Sequence, residues 1–269
     1  MTDALVLLDI ATRLANEAGD LVVKGRATAQ IAGTKSSSAD IVTEMDLASE
    51  RLLRQRIREL RPDDGILGEE GDDVPSRSGI TWVLDPIDGT VNYAYGLQYY
   101  GVSVAAVAGP PRTHEWTQLA GAIRTGTGEL WAAARNEGAW RDGVPIRRES
   151  APPLETTLLA TGFQYVPHLR AQQGQVVARM LPVVRDIRRL GAAALDLCHA
   201  AAGVVDAYYE HRINAWDMAA GALIATEAGL KVAGLDGGPA DERLVIAAHP
   251  DVWDDLADAL RAAGADRVG

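Results

Sequence analysis

The sequence predicts a mixed α+β chain: a sheet-rich amino-terminal half of largely antiparallel strands, then a carboxyl-terminal half in which strands and helices alternate. Three observations carry this. The apolar runs ITWVLD, YGVSVAAVAG, QLAGAIRTGTGELWAAAR and GAWRDGVPI are separated by short turns, with TGTG as a hairpin between two strands. From TTLLATG onward, helical stretches such as VPHLRAQQGQVVARMLPVV and AAALDLCHAAAG are interleaved with the strand-like DIRRLG and VVDAYYE, which suggests a second sheet flanked by helices. Finally, 269 residues with 47% hydrophobic side chains and no low-complexity block suffice to enclose one large core. No Pro/Gly/Ser linker divides the halves, 1–148 and 149–269, and no long repeat is visible, so residues 1–269 read as a single domain.

In chain order, Leu7, Leu14, Ala18 and Leu21 recur at helical spacing and predict one amphipathic helix ending near Gly25. GTKSSSADIVTEMD interrupts the pattern. ASERLLRQRIREL then places Leu53, Ile57 and Leu60 on one face of a second helix, while Arg51, Arg54, Arg56 and Arg58 read as a solvated face. RPDDGILGEEGDD is acidic and turn-forming, and ITWVLD is a buried strand expected to end at Asp85. WDMAAGALIATEAG, rich in alanine with Leu223 and Ile224, predicts a buried helix that Asp217 begins.

A net charge of -11 opposes nucleic acid or an anionic membrane surface as the direct partner. No stretch reaches the about 18 apolar residues of a membrane span, and MTDALVLLDIATRL lacks a basic leader, so the chain reads as cytoplasmic. Cys198, the one cysteine, rules out an intrachain disulfide and reads as a buried apolar thiol. His114, His168, His199, His211 and His249 are scattered without metal-ligand spacing.

An acidic protein that handles an anion needs a cation in its site. Four acidic clusters offer one: Asp40 and Asp46 in ADIVTEMD, Glu69 and Glu70 in GEEG, Asp85 and Asp88 in DPIDGT, and Asp217 in AWD. Each alone reads first as a solvated turn; together they suit Mg²⁺, which prefers oxygen ligands. Within DPIDGT, Pro86 stiffens the chain, Asp85 and Asp88 can converge on one pocket, and the Ile87 carbonyl adds an oxygen. Gly89 permits close backbone approach, and a helix starting after it would turn the Gly89 and Thr90 amides toward an anion. The Thr90 hydroxyl is suited to orienting or deprotonating a water when a carboxylate takes the proton onward. Asp217 fits either a helix cap or a metal ligand.

WVLDPIDGTVNY and AWDMAAGALIATEAG, with KSSSADIVTEMD and LGEEG in the matching order, closely resemble the inositol monophosphatase family over nearly the whole chain. The resemblance implies a layered α/β/α/β/α sandwich, a homodimer, lithium sensitivity and two or three Mg²⁺ ions. It implies that Glu69, Asp85 and the Ile87 carbonyl bind one ion and Asp85, Asp88 and Asp217 a second, with a looser third near Glu69. Asp46, Glu70 and Thr90 would hold and activate water, and the Gly89 and Thr90 amides would meet the phosphate. Glu210 and the backbone of Gly191, Ala192 and Ala193 would contact the alcohol. The implied reaction is hydrolysis of a small phosphorylated polyol, foremost inositol 1-phosphate, by metal-activated water. Histidinol phosphate, other sugar or nucleotide phosphates, and a role as a binding partner of transcription machinery are the alternatives. The loop Arg212, Ile213, Asn214 and Ala215 departs from the family's usual forms and leaves room for a different alcohol. Lys35 either contacts phosphate or lies on a mobile loop.

Overall fold

The computed structural model describes residues 3–113 and 115–269; His114 lies outside them. The first helix, α1 (Asp3–Gly25), buries Leu7, Leu14, Ala18 and Val22, while the predicted Leu21 is only half-buried. A small hairpin, β1 (Ile31–Thr34) and β2 (Ile41–Thr43), was not foreseen and occupies the stretch that broke the helical pattern. Helix α2 (Glu44–Leu60) starts four residues before the predicted ASERLL. Thr43 is its N-cap, and Asp46 returns a bond to the Thr43 N–H at 2.8 Å, a capping box that satisfies two otherwise orphaned donors. Leu53 and Ile57 are fully buried, but Leu60 at the helix end is 38% exposed.

The chain then runs through β3 (Gly65–Gly68), β4 (Ile80–Asp88), the short α3 (Thr90–Ala94), β5 (Gly101–Ala108), β6 (Thr117–Thr125), β7 (Leu130–Ala134), β8 (Gly138–Arg141) and β9 (Val144–Ile146). These seven strands form one sheet in sequence order, antiparallel except for the β3–β4 pair. Strand β4 does not stop at Asp85. Asp85 pairs with Ser103 and Asp88 with Gly101, so two residues, Pro86 and Ile87, face one, Val102, in a bulge. Proline has no N–H to give the ladder, so the bulge absorbs it without a lost bond.

The second half contains β10 (Leu158–Thr161), α4 (Pro167–Met180), β11 (Asp186–Arg188), α5 (Ala193–Ala202), β12 (Ala207–Glu210), α6 (Ala215–Glu227), β13 (Lys231–Ala233), β14 (Val245–Ala248) and α7 (Pro250–Ala263). Its five-stranded sheet has the order β11-β10-β12-β14-β13 and is mixed. Helices α1 and α2 cover one face of the large sheet. Helices α5 and α6 lie between the two sheets, and α4 and α7 close the far side. Five layers result, as expected. The alanines of α6 explain its place: small side chains let a helix pack tightly on both sides, and nine of its 13 residues are buried. Trp82 on β4 is fully buried and donates from its indole to Asp64 at 3.0 Å; truncating such a side chain costs about 3–5 kcal/mol. No helix among the described residues is long and apolar enough to cross a membrane.

Candidate active site

The end of β4, the turn into α3, and the starts of α5 and α6 meet at a cleft of about 330 Å³. Asp85, Asp88 and Asp217 each bring a carboxylate oxygen within 4.8 Å of the others there. Backbone N–H groups orient all three. Asp85 accepts from Ile87 at 3.0 Å, Asp88 from Ala194 at the start of α5 at 2.8 Å, and Asp217 from Asn214. Asp217 is therefore not the N-cap; Asn214 is, and Asp217 is the third helical residue of a second capping box. The helix thus starts at Ala215, two residues before the Asp217 start expected from the sequence.

Burial pushes Asp85 well above the usual carboxylate range, and Glu69, Asp88 and Asp217 push it further. Burial likewise raises Asp88 and Asp217 to about 7, with neighbouring carboxylates adding and backbone donors opposing. Like charges this close and this dry are unfavourable together unless protons or cations join them. An all-oxygen donor set held by backbone bonds therefore fits a hard divalent cation such as Mg²⁺.

Glu69 and Glu70 face Lys35, whose ammonium lies 2.8 Å from Glu69 and contacts Glu70. Burial opposes the charge on Lys35, yet the two glutamates hold it above its ordinary range. Burial raises Glu69 to about 8 despite Lys35, and Asp217 adds to the rise. Lys35 thus lines the cleft itself, on the carboxylate side. The GEEG turn is shaped from beneath by α2. Glu50 accepts from the Glu70 N–H at 2.8 Å and from Arg54 at 2.7 Å, and Arg54 donates on to the Asp72 carbonyl at 2.8 Å. A Cβ on Gly68 would lie 2.5 Å from the Glu50 carboxylate, and one on Gly71 2.9 Å from Arg54. Arg54 is accordingly buried, contrary to the solvated face read from the sequence.

The Thr90 hydroxyl lies 2.9 Å from both Asp46 and the Ile87 carbonyl. Its single proton can serve only one at a time. Burial raises Asp46, with its Thr43 and Thr90 bonds and Lys35 pulling it back. Asp46 and Thr90 are thus brought together as predicted, whereas Glu70 is engaged by Lys35. Gly89 sits at φ 88°, the left-handed region that favours glycine, and caps α3. A Cβ there would press on the Tyr99 carbonyl at 3.0 Å and on Ala192 at 3.2 Å.

Across the cleft, Glu210 accepts from Tyr208 at 2.9 Å and is raised by burial to about 7, with Tyr208 and Arg189 opposing. Gly162 leaves room for it: a Cβ there would overlap its carboxylate at 2.0 Å. Gly191, Ala192 and Ala193 line the cleft beside it, as do Arg212, Ile213 and Asn214. Sequence reasoning missed Arg189 and Tyr165, which line the same end. Basic and aromatic residues in loops carry no local signal of this kind. The described histidines stay outside the carboxylate cluster. His199 contacts Tyr99, His211 bonds the Ala265 carbonyl at 3.0 Å, His249 caps α7 and His168 is exposed. Cys198 is buried, and its thiol is pushed well up by burial.

The inositol monophosphatase family model matches residues 3–265. The chain belongs to the inositol monophosphatase family. That membership puts it among phosphatase hydrolases. It is 47% identical over 239 residues to inositol-1-monophosphatase of Mycobacterium leprae, covering 84% of this chain and 80% of that relative. It is 34% identical over 268 residues to Nus factor SuhB of Escherichia coli, covering 95% of this chain and 98% of that one. The solved structure of Mycobacterium tuberculosis SuhB superposes with a TM-score of 0.81 at 40% identity, over 98% of this chain and 99% of the other.

Proposed function

We propose that this family member hydrolyses small phosphomonoesters with Mg²⁺, foremost inositol 1-phosphate to inositol and phosphate, and that it works as a single-domain homodimer in the cytoplasm. The observation that carries the reading is the convergence of Asp85, Asp88 and Asp217 beside the hydrogen-bonded Thr90–Asp46 pair. Glu69, Asp85, the Ile87 carbonyl, Asp88 and Asp217 would hold two ions, with a third looser one near Glu69. Bound Mg²⁺ would supply the positive charge that lowers the pKa of water and stabilises the leaving oxygen.

The proposed part of the protein's own residues is as follows. The Gly89 and Thr90 amides face the phosphate at the turn into α3. Thr90 accepts a proton from the attacking water as its own proton passes to Asp46, whose raised pKa suits a base. The water oxygen bonds to phosphorus, the ester P–O bond breaks, and the alkoxide takes a proton from solvent. Glu70 completes the water site once Lys35 releases it. Glu210 and the Gly191–Ala193 backbone receive the polyol hydroxyls, and inositol specificity is supported by the relationship to the mycobacterial inositol-1-monophosphatase.

Phosphate release from inositol 1-phosphate, histidinol phosphate, sugar phosphates and nucleotide phosphates, with Mg²⁺ and lithium titrated, tests this. Inositol 1-phosphate should lead; much faster turnover of another ester refutes the specificity. Asp88→Asn should abolish turnover in a folded protein, and retained activity would sink the ligand assignment. The relative named Nus factor SuhB favours a second reading, partnership with transcription machinery. Affinity capture from lysate, set beside the activity of the same preparation, separates the two.

A further inference from the structure

The segment that would meet the alcohol, Leu190 to Ala194, is pinned at both ends by the stretch that carries the carboxylates. At one end the Ala194 N–H donates to Asp88 at 2.8 Å. At the other, the amide nitrogen of Asn92 lies 2.8 Å from the Leu190 carbonyl and 2.7 Å from the Tyr99 carbonyl, with the Gly191 carbonyl at 3.5 Å. Asn92 is on α3 and is 6% exposed, so both amide hydrogens are spent on these carbonyls inside the protein. The Tyr99 hydroxyl continues the strut, donating to the buried Asp196 of α5 at 2.8 Å. Gly191, between the pins, has φ 93°, and a Cβ on it would lie 3.2 Å from the Asn92 amide. Asn92 itself bonds only these carbonyls and no member of the carboxylate cluster. Its effect is on where the Gly191–Ala193 backbone stands relative to that cluster.

We propose that Asn92 is a positioning residue for the alcohol half of the substrate: it holds Leu190 while Asp88 holds Ala194, fixing the Gly191–Ala193 floor at a set distance from the reacting phosphate. The inference rests on the reading of that floor as the alcohol-contacting surface. A floor released at one end still leaves Asp85, Asp88, Asp217, Thr90 and Asp46 in place. Hydroxyl recognition suffers, and phosphate chemistry does not. Misplacement of about an ångström is enough for a loss of about tenfold to a hundredfold.

Asn92→Asp keeps the shape of the side chain and removes the donor group; Asn92→Ser keeps one donor hydrogen and serves the same comparison if the first variant does not fold. Each is assayed with inositol 1-phosphate and with p-nitrophenyl phosphate, which has no polyol. The expected result is a KM for inositol 1-phosphate raised about tenfold or more, with kcat on the aryl ester and the Mg²⁺ dependence within about twofold of wild type. Equal losses on both esters, or no loss on either, overturn the proposal. Glu210→Gln runs in parallel. If it too fails to discriminate the two esters, the alcohol-site reading falls, and this proposal with it. If it discriminates and the Asn92 variants do not, only the role of Asn92 falls.

Discussion

Removing divalent cations should make the protein progressively less stable as pH rises from about 5 to about 7. Glu69 is raised to about 8, and Asp88, Asp217 and Glu210 to about 7, from ordinary values of 3.8 to 4.5. Folded values above the unfolded ones mean that the native state keeps protons the unfolded chain has already released. Stability is therefore complete below the ordinary carboxylate range and is lost as pH climbs through the folded values. Each extra proton held natively is worth about 1.4 kcal/mol per pH unit. The carboxylates titrate as a set, so one retained proton is a conservative floor. Over two pH units that floor is about 3 kcal/mol, or a fall of roughly 6–12 °C in Tm for a chain of this size. Lys35 does not counter it, because its raised value lies far above the window. Saturating Mg²⁺ should replace the protons, flatten the slope and raise Tm most at the alkaline end. Differential scanning calorimetry in chelator and in Mg²⁺ across this range is the assay. A Tm in chelator that is flat or rising with pH, or a slope that Mg²⁺ leaves unchanged, refutes the electrostatic account of the cluster.

Thr90→Val removes the hydroxyl at constant shape and should lower kcat by about a hundredfold or more without shifting the Mg²⁺ dependence, measured by steady-state phosphate release. Gly162→Ala puts a methyl into the Glu210 carboxylate, so KM for inositol 1-phosphate should rise while p-nitrophenyl phosphate turnover persists; unchanged KM counts against Glu210 as the alcohol contact. Arg54→Ala strands a buried Glu50 carboxylate and should cost about 3–5 kcal/mol in urea unfolding; a loss under about 1 kcal/mol would show the pair to be dispensable.

The carboxylates were legible because acids at strand ends and turns are rare enough in combination to name a hard cation. The elements around them were harder to read. Thr43 and Asp46 form a capping box, yet they stand in a polar stretch whose first half makes a hairpin, so α2 was started too late. Pro86 argued for the end of a strand, and the bulge lets β4 carry on to Asp88. Arg54 on a charged helix face reads as solvated from its neighbours alone, because its true environment, the GEEG turn, arrives from beyond the helix. Asn92 and Leu190 are 98 residues apart, and no local pattern connects them.

Both Asp46 and Asp217 occupy the third position of a helix and accept the N–H of the capping residue. On the proposed site assignment each therefore answers to two selective demands, since replacing either one frays the start of a helix at a cost of about 1 kcal/mol, whatever happens to turnover. A descendant that abandoned catalysis for a binding role would still be under pressure to keep them. Among the described residues Glu69 accepts no backbone N–H and meets Lys35 as its cation, so its loss would cost such a descendant little. On the proposed ion assignment, Glu69 rather than Asp46 or Asp217 is the residue whose retention would mark a working phosphatase.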